Sequence, residues 1–372
     1  MILYYTMSGD VMGSISVLHI VIAKTWGGGE QYVYDVCKEM RRKGIDVFVI
    51  VDETNEKFKK KFSEVSNVLT ANLYFAAGIF SVSKIIKYIK AFNISVVNCH
   101  SGHVMLMCML IKMFTDIKLV MFKHNTIAAK NDIYHNWQRK YTDAFICVSQ
   151  LVYDLQIDTI DNKYKDKYYF VYNGVDLEKL GKYGAVAKDS NNFIIGYAGR
   201  IAKDKGIDIL IKAFKKVLQK HNDITLILAG SDEKGYLKVI QEYVKNNKLE
   251  SKIQYLGHIN DMEKFYKSLN LFVLPSVVKE SFGLVLCEAI YCGLPVITTD
   301  SGAQHEIIKN DDLGYVIKAG DVGALAEKIE YVYYNKNGEN RNIDILKKYI
   351  EDNFSISICV DKILNVYKNI RN

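Results

Sequence analysis

With 372 residues, 49% of them hydrophobic, the chain is long enough to bury more than one core. Its formal charge of +7, with 24% charged residues, is only mildly basic and argues against a nucleic-acid-binding protein. No apolar run reaches the ~18–20 residues a membrane span needs.

The nearest apolar run, VMLMCMLIKMF (104–114), is short and carries Lys112. The opening MILYYTMSGDVMGS lacks the basic start and long apolar stretch of a secretory signal, so the fold is expected to begin at Ile15. The seven cysteines are scattered without a CxxC pair, the pattern of free thiols in a reducing cytoplasm.

In chain order, ISVLHIVIA (15–23) reads as a buried first strand, then a glycine loop and a helix from about Glu30 to Lys43. Gly44 ends that helix, and IDVFVIV (45–51) is the second strand. ISVVNCH (94–100), IKLVMFKH (117–124) and DAFICVS (143–149) continue the pattern, and FVYNGVD (170–176) closes the first series. Residues 177–192 are polar and lack a core pattern, as an interdomain connection would. A second series follows in NFIIGYAGR (192–200), DITLILAG (223–230), KIQYLGH (252–258), LNLFVLP (269–275) and LPVITTD (294–300). Alternating strands and helices predict α/β architecture, with two Rossmann-like domains facing a cleft. The expected division is 1–176 and 177–372, with a C-terminal helix at about 351–372 packing back on the first domain. Ligands of such sheets bind beyond the carboxyl ends of the strands, so the residues just after each strand are the candidates for function.

In GYAGRIAKDKGIDIL (196–210), Arg200 and Lys205 lie between a strand and a helix that starts near Gly206. Two cations beside a helix N-terminus make an anion site, and a solvated basic loop is the plain alternative. KESFGLVLCEAIYCGLP (279–295) places Glu280 in a strand-to-helix loop and Glu288 on a helix from about Phe282 to Cys292. The amides of Ser281, Phe282, Gly283 and Leu284 are expected to point into the same space, and Gly283 permits close approach of a ligand. Glu280 as a dipole partner and Glu288 as a paired acid is the competing structural reading.

Taken as an ordered set, GR…KG, ESFGLVLCEA and GLPVITTDSG resemble the C-terminal half of GT-B glycosyltransferases of glycosyltransferase family 4. Glu280 and Glu288 match that family's E-x7-E pattern. GGGEQYVYDVCKEMRRKGIDVFVI (27–50), HSGH (100–103), FKHN (122–125), VS (148–149) and VYNGVD (171–176) resemble landmarks of its first half. The resemblance implies that Arg200 and Lys205 grip a donor diphosphate. It gives Glu280 and the 282–284 amides to the donor sugar or phosphate, and Glu288 to the ribose. His124 matches a histidine beside the reacting sugar. Gly28 and Gly29 would let the first loop approach the donor or acceptor, with Glu30, Gln31, His100 and His103 on the acceptor side. HSGH could also suggest a metal pair, but no third ligand is evident.

The chain departs from the family pattern at Tyr172, where proline is usual, and at Ala303-Gln304 in SGAQHEII (301–308). Gly302, Gln304 and Glu306 are expected near the donor pocket. The sequence contains no Asp-x-Asp, no G-x-G-x-x-G and no G-x-S-x-G. The missing Asp-x-Asp makes metal-independent chemistry without a cofactor the expectation, and the resemblance implies retaining transfer of a sugar from a UDP-sugar to a glycan or lipid-linked hydroxyl. The alternatives are an epimerase or phosphorylase on the same fold, or a non-catalytic transferase-like subunit. Lys57, Lys59, Lys60 and Lys61 around Phe58 and Phe62, then Lys84, Lys87 and Lys90, then Lys38, Arg41, Arg42 and Lys43, suggest contact with an anionic membrane surface. An ordinary solvated face is the alternative. The expected location is cytoplasmic, peripheral at the inner face of the membrane.

Overall fold

The chain is described from a computed structural model covering residues 15–74, 79–181, 192–232, 235–335 and 341–371. The first half contains β1 (Ser16–Ile20), α1 (Gly28–Arg42), β2 (Asp46–Asp52), α2 (Glu56–Phe62), β3 (Asn67–Ala71), α3 (Val82–Ala91) and β4 (Val96–Cys99). It continues through α4 (Met105–Met113), β5 (Lys118–Lys123), α5 (Ile133–Tyr141), β6 (Ala144–Cys147), α6 (Gln150–Ile157) and β7 (Tyr168–Phe170). All seven strands are parallel, in the order β3-β2-β1-β4-β5-β6-β7. Successive strand residues feed opposite cores, because side chains alternate across a sheet. Val17, Val49 and Ile146 bury with α1 and α2 on one face, while Leu18, Ile50 and Phe145 bury with α3 and α4 on the other. Helices on both faces explain why these strands are continuous apolar runs.

The second half contains β8 (Phe193–Ala198), α7 (Ile207–Leu218), β9 (Ile224–Ala229), α8 (Tyr236–Asn246), β10 (Ile253–Gly257), α9 (Met262–Ser268) and β11 (Leu271–Leu274). α10 (Leu284–Tyr291), β12 (Val296–Thr299), α11 (Gln304–Ile307), β13 (Tyr315–Ile317) and α12 (Val322–Tyr334) complete a six-stranded sheet ordered β10-β9-β8-β11-β12-β13. Two terminal helices follow, α13 (Ile343–Phe354) and α14 (Ile356–Arg371). α14 leaves the second core: Cys359, Val360, Ile363, Leu364 and Tyr367 bury with Val36 and Met40 of α1. Their 3–4-residue spacing forms one apolar stripe. The outgoing and returning chain segments meet where the Val175 amide donates to Phe354 O (2.8 Å) and the Ile356 amide to Val175 O (2.9 Å).

Several sequence expectations are corrected in detail. α1 starts at Gly28, two residues before Glu30, and α10 starts at Leu284 instead of near Phe282. FVYNGVD is not a strand: β7 ends at Phe170, and the Asn173 amide donates to Val148 O instead of extending a ladder. β3 and β13, which the pattern did not show, are edge strands; β3 is half polar and β13 has three residues. Of the polar connection, 177–181 and 192 are described and 182–191 lie outside the described residues, as do 1–14.

Candidate functional site

Each sheet reverses its strand order once, between β1 and β4 in the first and between β8 and β11 in the second. Such reversal points open crevices at the strand ends. The loop after β1 leads into Gly28 and Gly29 at the start of α1, and the loop after β4 carries His100. The loops after β8 and β11 carry Arg200, Lys205 and Glu280. A hydrogen bond from the Thr126 hydroxyl to Lys279 O (3.2 Å) joins the loop after β5 to the loop that holds Glu280.

Lys205 and Glu280 are brought together: the ammonium lies 2.6 Å from the Glu280 Oε1, and their side chains are 16% and 14% exposed. The Ser276 hydroxyl donates to the same carboxylate oxygen. Gly206 caps α7 at φ +68°, and a Cβ there would meet Pro275 O at 1.9 Å, so this loop packs tightly on the one after β11. The Glu280 backbone is seated just as closely. A Cβ on Gly302 would lie 2.3 Å from Glu280 O, and the Ala303 amide donates to that oxygen at 3.0 Å.

Arg200 stands apart from this pair, its side chain 44% exposed and 3.4 Å from Asp204. The backbone amides of Ser281, Phe282, Gly283 and Leu284 make no hydrogen bond among the described residues, which leaves donors at the α10 N-terminus. The Phe282 ring is buried against Tyr172 and Phe354, which leaves only its backbone free to meet a ligand. Gly283 adopts φ +110°. Glu288 accepts a 2.6 Å hydrogen bond from the Tyr266 hydroxyl, and burial raises its carboxyl pKa to about 7 against the opposing effect of that bond.

Across the cleft, three imidazoles form a chain. His19 Nδ1 lies 2.9 Å from His100 Nε2, and His100 Nδ1 lies 3.0 Å from His124 Nε2. Asn98 links His19 to the hydroxyl of Tyr367 on α14, at 3.3 and 2.6 Å. Burial lowers the pKa of His19 to about 3 and of His124 to about 4, and burial with help from its two neighbours holds His100 well below the ordinary imidazole value. These rings are neutral at neutral pH, so each can accept a hydrogen bond as well as donate one.

Other sequence candidates fall elsewhere. Gly28 and Gly29 occupy the exposed first turn of α1, with open space where a Cβ would sit. Glu30 accepts from the Gly27 amide at 2.9 Å, and Gln31 bridges the Trp26 indole (3.2 Å) and Asp35 (2.8 Å). Both are held by their own helix end. His103 is exposed at the turn before α4. Glu306, expected near the donor pocket, instead accepts from the Gln150 and Leu151 amides, both at 2.8 Å, and caps α6 of the opposite sheet. Its charge is used at a helix N-terminus. Gln304 is fully buried and donates to Ser301 Oγ at 2.9 Å.

The basic segments are largely occupied too. Phe58 and Phe62 are core residues, and Lys61 lies over the Trp26 and Tyr34 rings. Lys38 pairs with Asp176 (2.8 Å), Arg42 with Glu39 (2.7 Å) and Lys43 with Asp361 (2.8 Å). Lys84, Lys87 and Lys90 are exposed on α3. Among the described residues, no three His, Cys, Asp or Glu side chains are grouped to hold a metal, and no helix is long and apolar enough to cross a membrane.

His19, Ser276 and Tyr266 were not found by motif. His19 had a visible signal, a polar ring inside the apolar strand SVLHI. Tyr266 lies 22 positions from Glu288, and only the fold brings them together.

Comparison with known proteins agrees with this geometry. The family profile for Glycosyl transferases group 1 matches residues 184–349, and that for Glycosyltransferase Family 4 matches residues 26–179. The capsular polysaccharide biosynthesis glycosyltransferase CapM of Staphylococcus aureus is 32% identical over 210 residues, 52% of each chain. The uncharacterized glycosyltransferase MJ1178 of Methanocaldococcus jannaschii is 30% identical over 263 residues, 68% of each. The matched region thus spans about half of CapM and about two thirds of MJ1178. Among solved structures, Anabaena Alr3699/HepE in complex with UDP-glucose superposes with a TM-score of 0.79 at 20% identity, over 95% of this chain and 100% of that one. This places the two-domain arrangement in the GT-B fold.

Proposed function

The chain belongs to the group 1 glycosyltransferases, and from that premise we propose that it transfers a hexose from a nucleotide-diphosphate sugar to an acceptor hydroxyl. The donor is a UDP-sugar, and the acceptor is a glycan or a lipid-linked molecule in polysaccharide or glycoconjugate biosynthesis. UDP-glucose in the HepE complex and the capsular role named for CapM support this choice.

The observation that carries the proposal is the Lys205–Glu280 pair beside the unpaired amides of the α10 N-terminus. Cation and amides together suit a diphosphate, and the carboxylate beside them suits sugar hydroxyls. Lys205 and Arg200 stabilise charge developing on the departing diphosphate, with no metal required. Glu288, one turn into the same helix, holds the ribose diol. Residues 177–372 bind the donor and residues 1–176 the acceptor, with α14 fastened to the first unit. Gly28 and Gly29 let the chain approach the ligand closely. His124 stands beside the reacting sugar as a neutral hydrogen-bonding group, steadied by His100. Glu30, Gln31 and His103 flank the acceptor path. Transfer proceeds with retention: the acceptor attacks on the leaving-group face and a phosphate oxygen takes its proton. Where the acceptor is lipid-linked, Lys84, Lys87 and Lys90 of α3 would meet the anionic surface.

Incubation with UDP-, GDP-, ADP- and dTDP-sugars and a panel of glycan acceptors tests this reading. NMR of the product should show the donor's anomeric configuration retained. Epimerised donor without an acceptor, phosphate-dependent cleavage, or binding without transfer would favour the alternatives in turn.

A further inference from the structure

Beside the imidazole chain lies a cavity of about 550 Å³, entirely on the first domain. Its walls include Lys123, Lys130, Arg139 and His103, and no Asp or Glu lines it. Lys123 makes no hydrogen bond or ion pair among the described residues; its ammonium rests 5.3 Å from the centre of the Phe145 ring. Arg139 is 3% exposed, and its partners are all neutral: the Tyr168 hydroxyl (3.2 Å), Asn136 Oδ1 (2.8 Å) and Lys130 O (2.5 Å). Three of its five N–H groups are used and two remain. Gln156, in the same cavity lining, is 2% exposed, with Nε2 donating to Ile127 O at 2.7 Å and a buried Oε1 that has no partner among the described residues.

Two neighbouring cations with no acid between them are costly to bury. Burial and the Arg139 charge both push the Lys123 pKa down. Every titratable group facing the cavity is a lysine, an arginine, a histidine or the hydroxyl of Tyr134 or Tyr168, so the walls supply no counter-charge. His135, the one histidine there with a carboxylate partner, is paired outside the cavity with Asp132 at 2.7 Å. A bound anion would supply the missing counter-charge. His100 and His124 line the same cavity, which puts that anion on the acceptor side of the transfer.

We propose that this cavity holds the acceptor by an anionic group, a phosphate ester or carboxylate, bound between Lys123 and Arg139. The charge anchors the acceptor, and the unpartnered Gln156 oxygen takes a hydroxyl hydrogen from it. Ile127 and Tyr134, 64% and 42% exposed at the cavity wall, give an apolar flank to the entering molecule. The proposal rests on the transferase reading only in calling the bound molecule an acceptor.

The test is calorimetric titration of the Arg200→Ala/Lys205→Ala protein, in which the two donor-site cations are removed. Glycerol 3-phosphate and glycerate are the soluble anions and glycerol the neutral control. Phosphatidylcholine vesicles with and without phosphatidic acid present the lipid phosphate. Binding of an anion in either arm, with glycerol at least tenfold weaker, is the expected result, and the arm that responds identifies the source. Adding Lys123→Met should weaken that binding by about tenfold or more, the loss of one charged hydrogen bond. It should also raise the melting temperature, because a half-buried charge without a counter-charge is removed. Anion affinity unchanged by Lys123→Met, no anion bound in either arm, or a lower melting temperature in the variant would each overturn the proposal. No sugar nucleotide is present in this titration, so its failure is separate from failure of donor binding.

Discussion

The Lys205 ammonium and the Glu280 carboxylate meet at 2.6 Å, at a point where two loops from neighbouring strands converge on a helix N-terminus. The pair joins the group suited to a diphosphate to the group suited to a sugar. A donor would take over both partners, exchanging their mutual attraction for contacts to its own charges and hydroxyls.

Lys205→Met should therefore lower kcat/KM for sugar transfer by about 10²-fold or more, as loss of a main electrostatic contact does. Glu280→Gln keeps an oxygen that can accept sugar hydroxyls, so it should lose less than Glu280→Ala. The side chains are only 16% and 14% exposed, so Lys205→Met leaves a largely buried carboxylate without its cation and should lower the melting temperature, while Glu280→Gln leaves Lys205 without its anion and should do the same. Steady-state kinetics and thermal melts of the three variants check this.

Glu288 predicts a pH dependence of donor binding. Burial raises its carboxyl to about 7, above the ordinary 4.5, so the empty site is part-protonated near neutrality. A ribose diol donates to the ionised form, hence donor binding should release a proton and tighten from pH 6 to pH 8. In stability terms the sign is opposite: a raised carboxyl favours the fold below 4.5, and that contribution is lost as pH rises through 7. Calorimetry of UDP-glucose in buffers of different ionisation enthalpy reads the proton, and Glu288→Gln should abolish it.

The histidine chain predicts acid sensitivity. His19 and His124 titrate at about 3 and about 4 in the fold against 6.5 when unfolded, so the unfolded chain binds more protons between those limits. Stability should fall as pH drops from 6.5 toward 4. Urea midpoints at pH 7.5 and 5 should differ less in His19→Gln than in the parent. Transfer activity should show no histidine limb near 6.5.

Glu306 predicts control of domain closure. Its two 2.8 Å bonds from the second domain to the Gln150 and Leu151 amides are charge-assisted. Glu306→Gln keeps the shape and removes the charge, which should cost about 2 kcal/mol. X-ray scattering should then show a larger radius of gyration in solution than for the parent.

The β-branched runs made the two alternating series legible, because strands covered on both faces leave continuous apolar segments. β3 escaped notice because it is half polar, as an edge strand can be, and β13 because it has only three residues. Glu280 and Lys205 were legible as members of motifs beside strand ends. Their 75-residue separation hid that they pair, since pairing depends on the β8–β11 neighbourhood. Glu306 was misplaced for a similar reason: its helix lies by the donor side, but its carboxylate crosses to α6. Arg139 left no signal, and Lys123 stood only inside the FKHN landmark, because a cation without a carboxylate is visible only once its surroundings are known.

Equilibrium titration with UDP and UDP-glucose, on the parent, Glu280→Ala and Lys205→Met, tests the donor site most directly. Glu280→Ala should weaken UDP-glucose while sparing UDP, because the carboxylate serves the sugar, and Lys205→Met should weaken both. Equal affinities across all three proteins, or no nucleotide bound by the parent at millimolar concentration, would contradict the account.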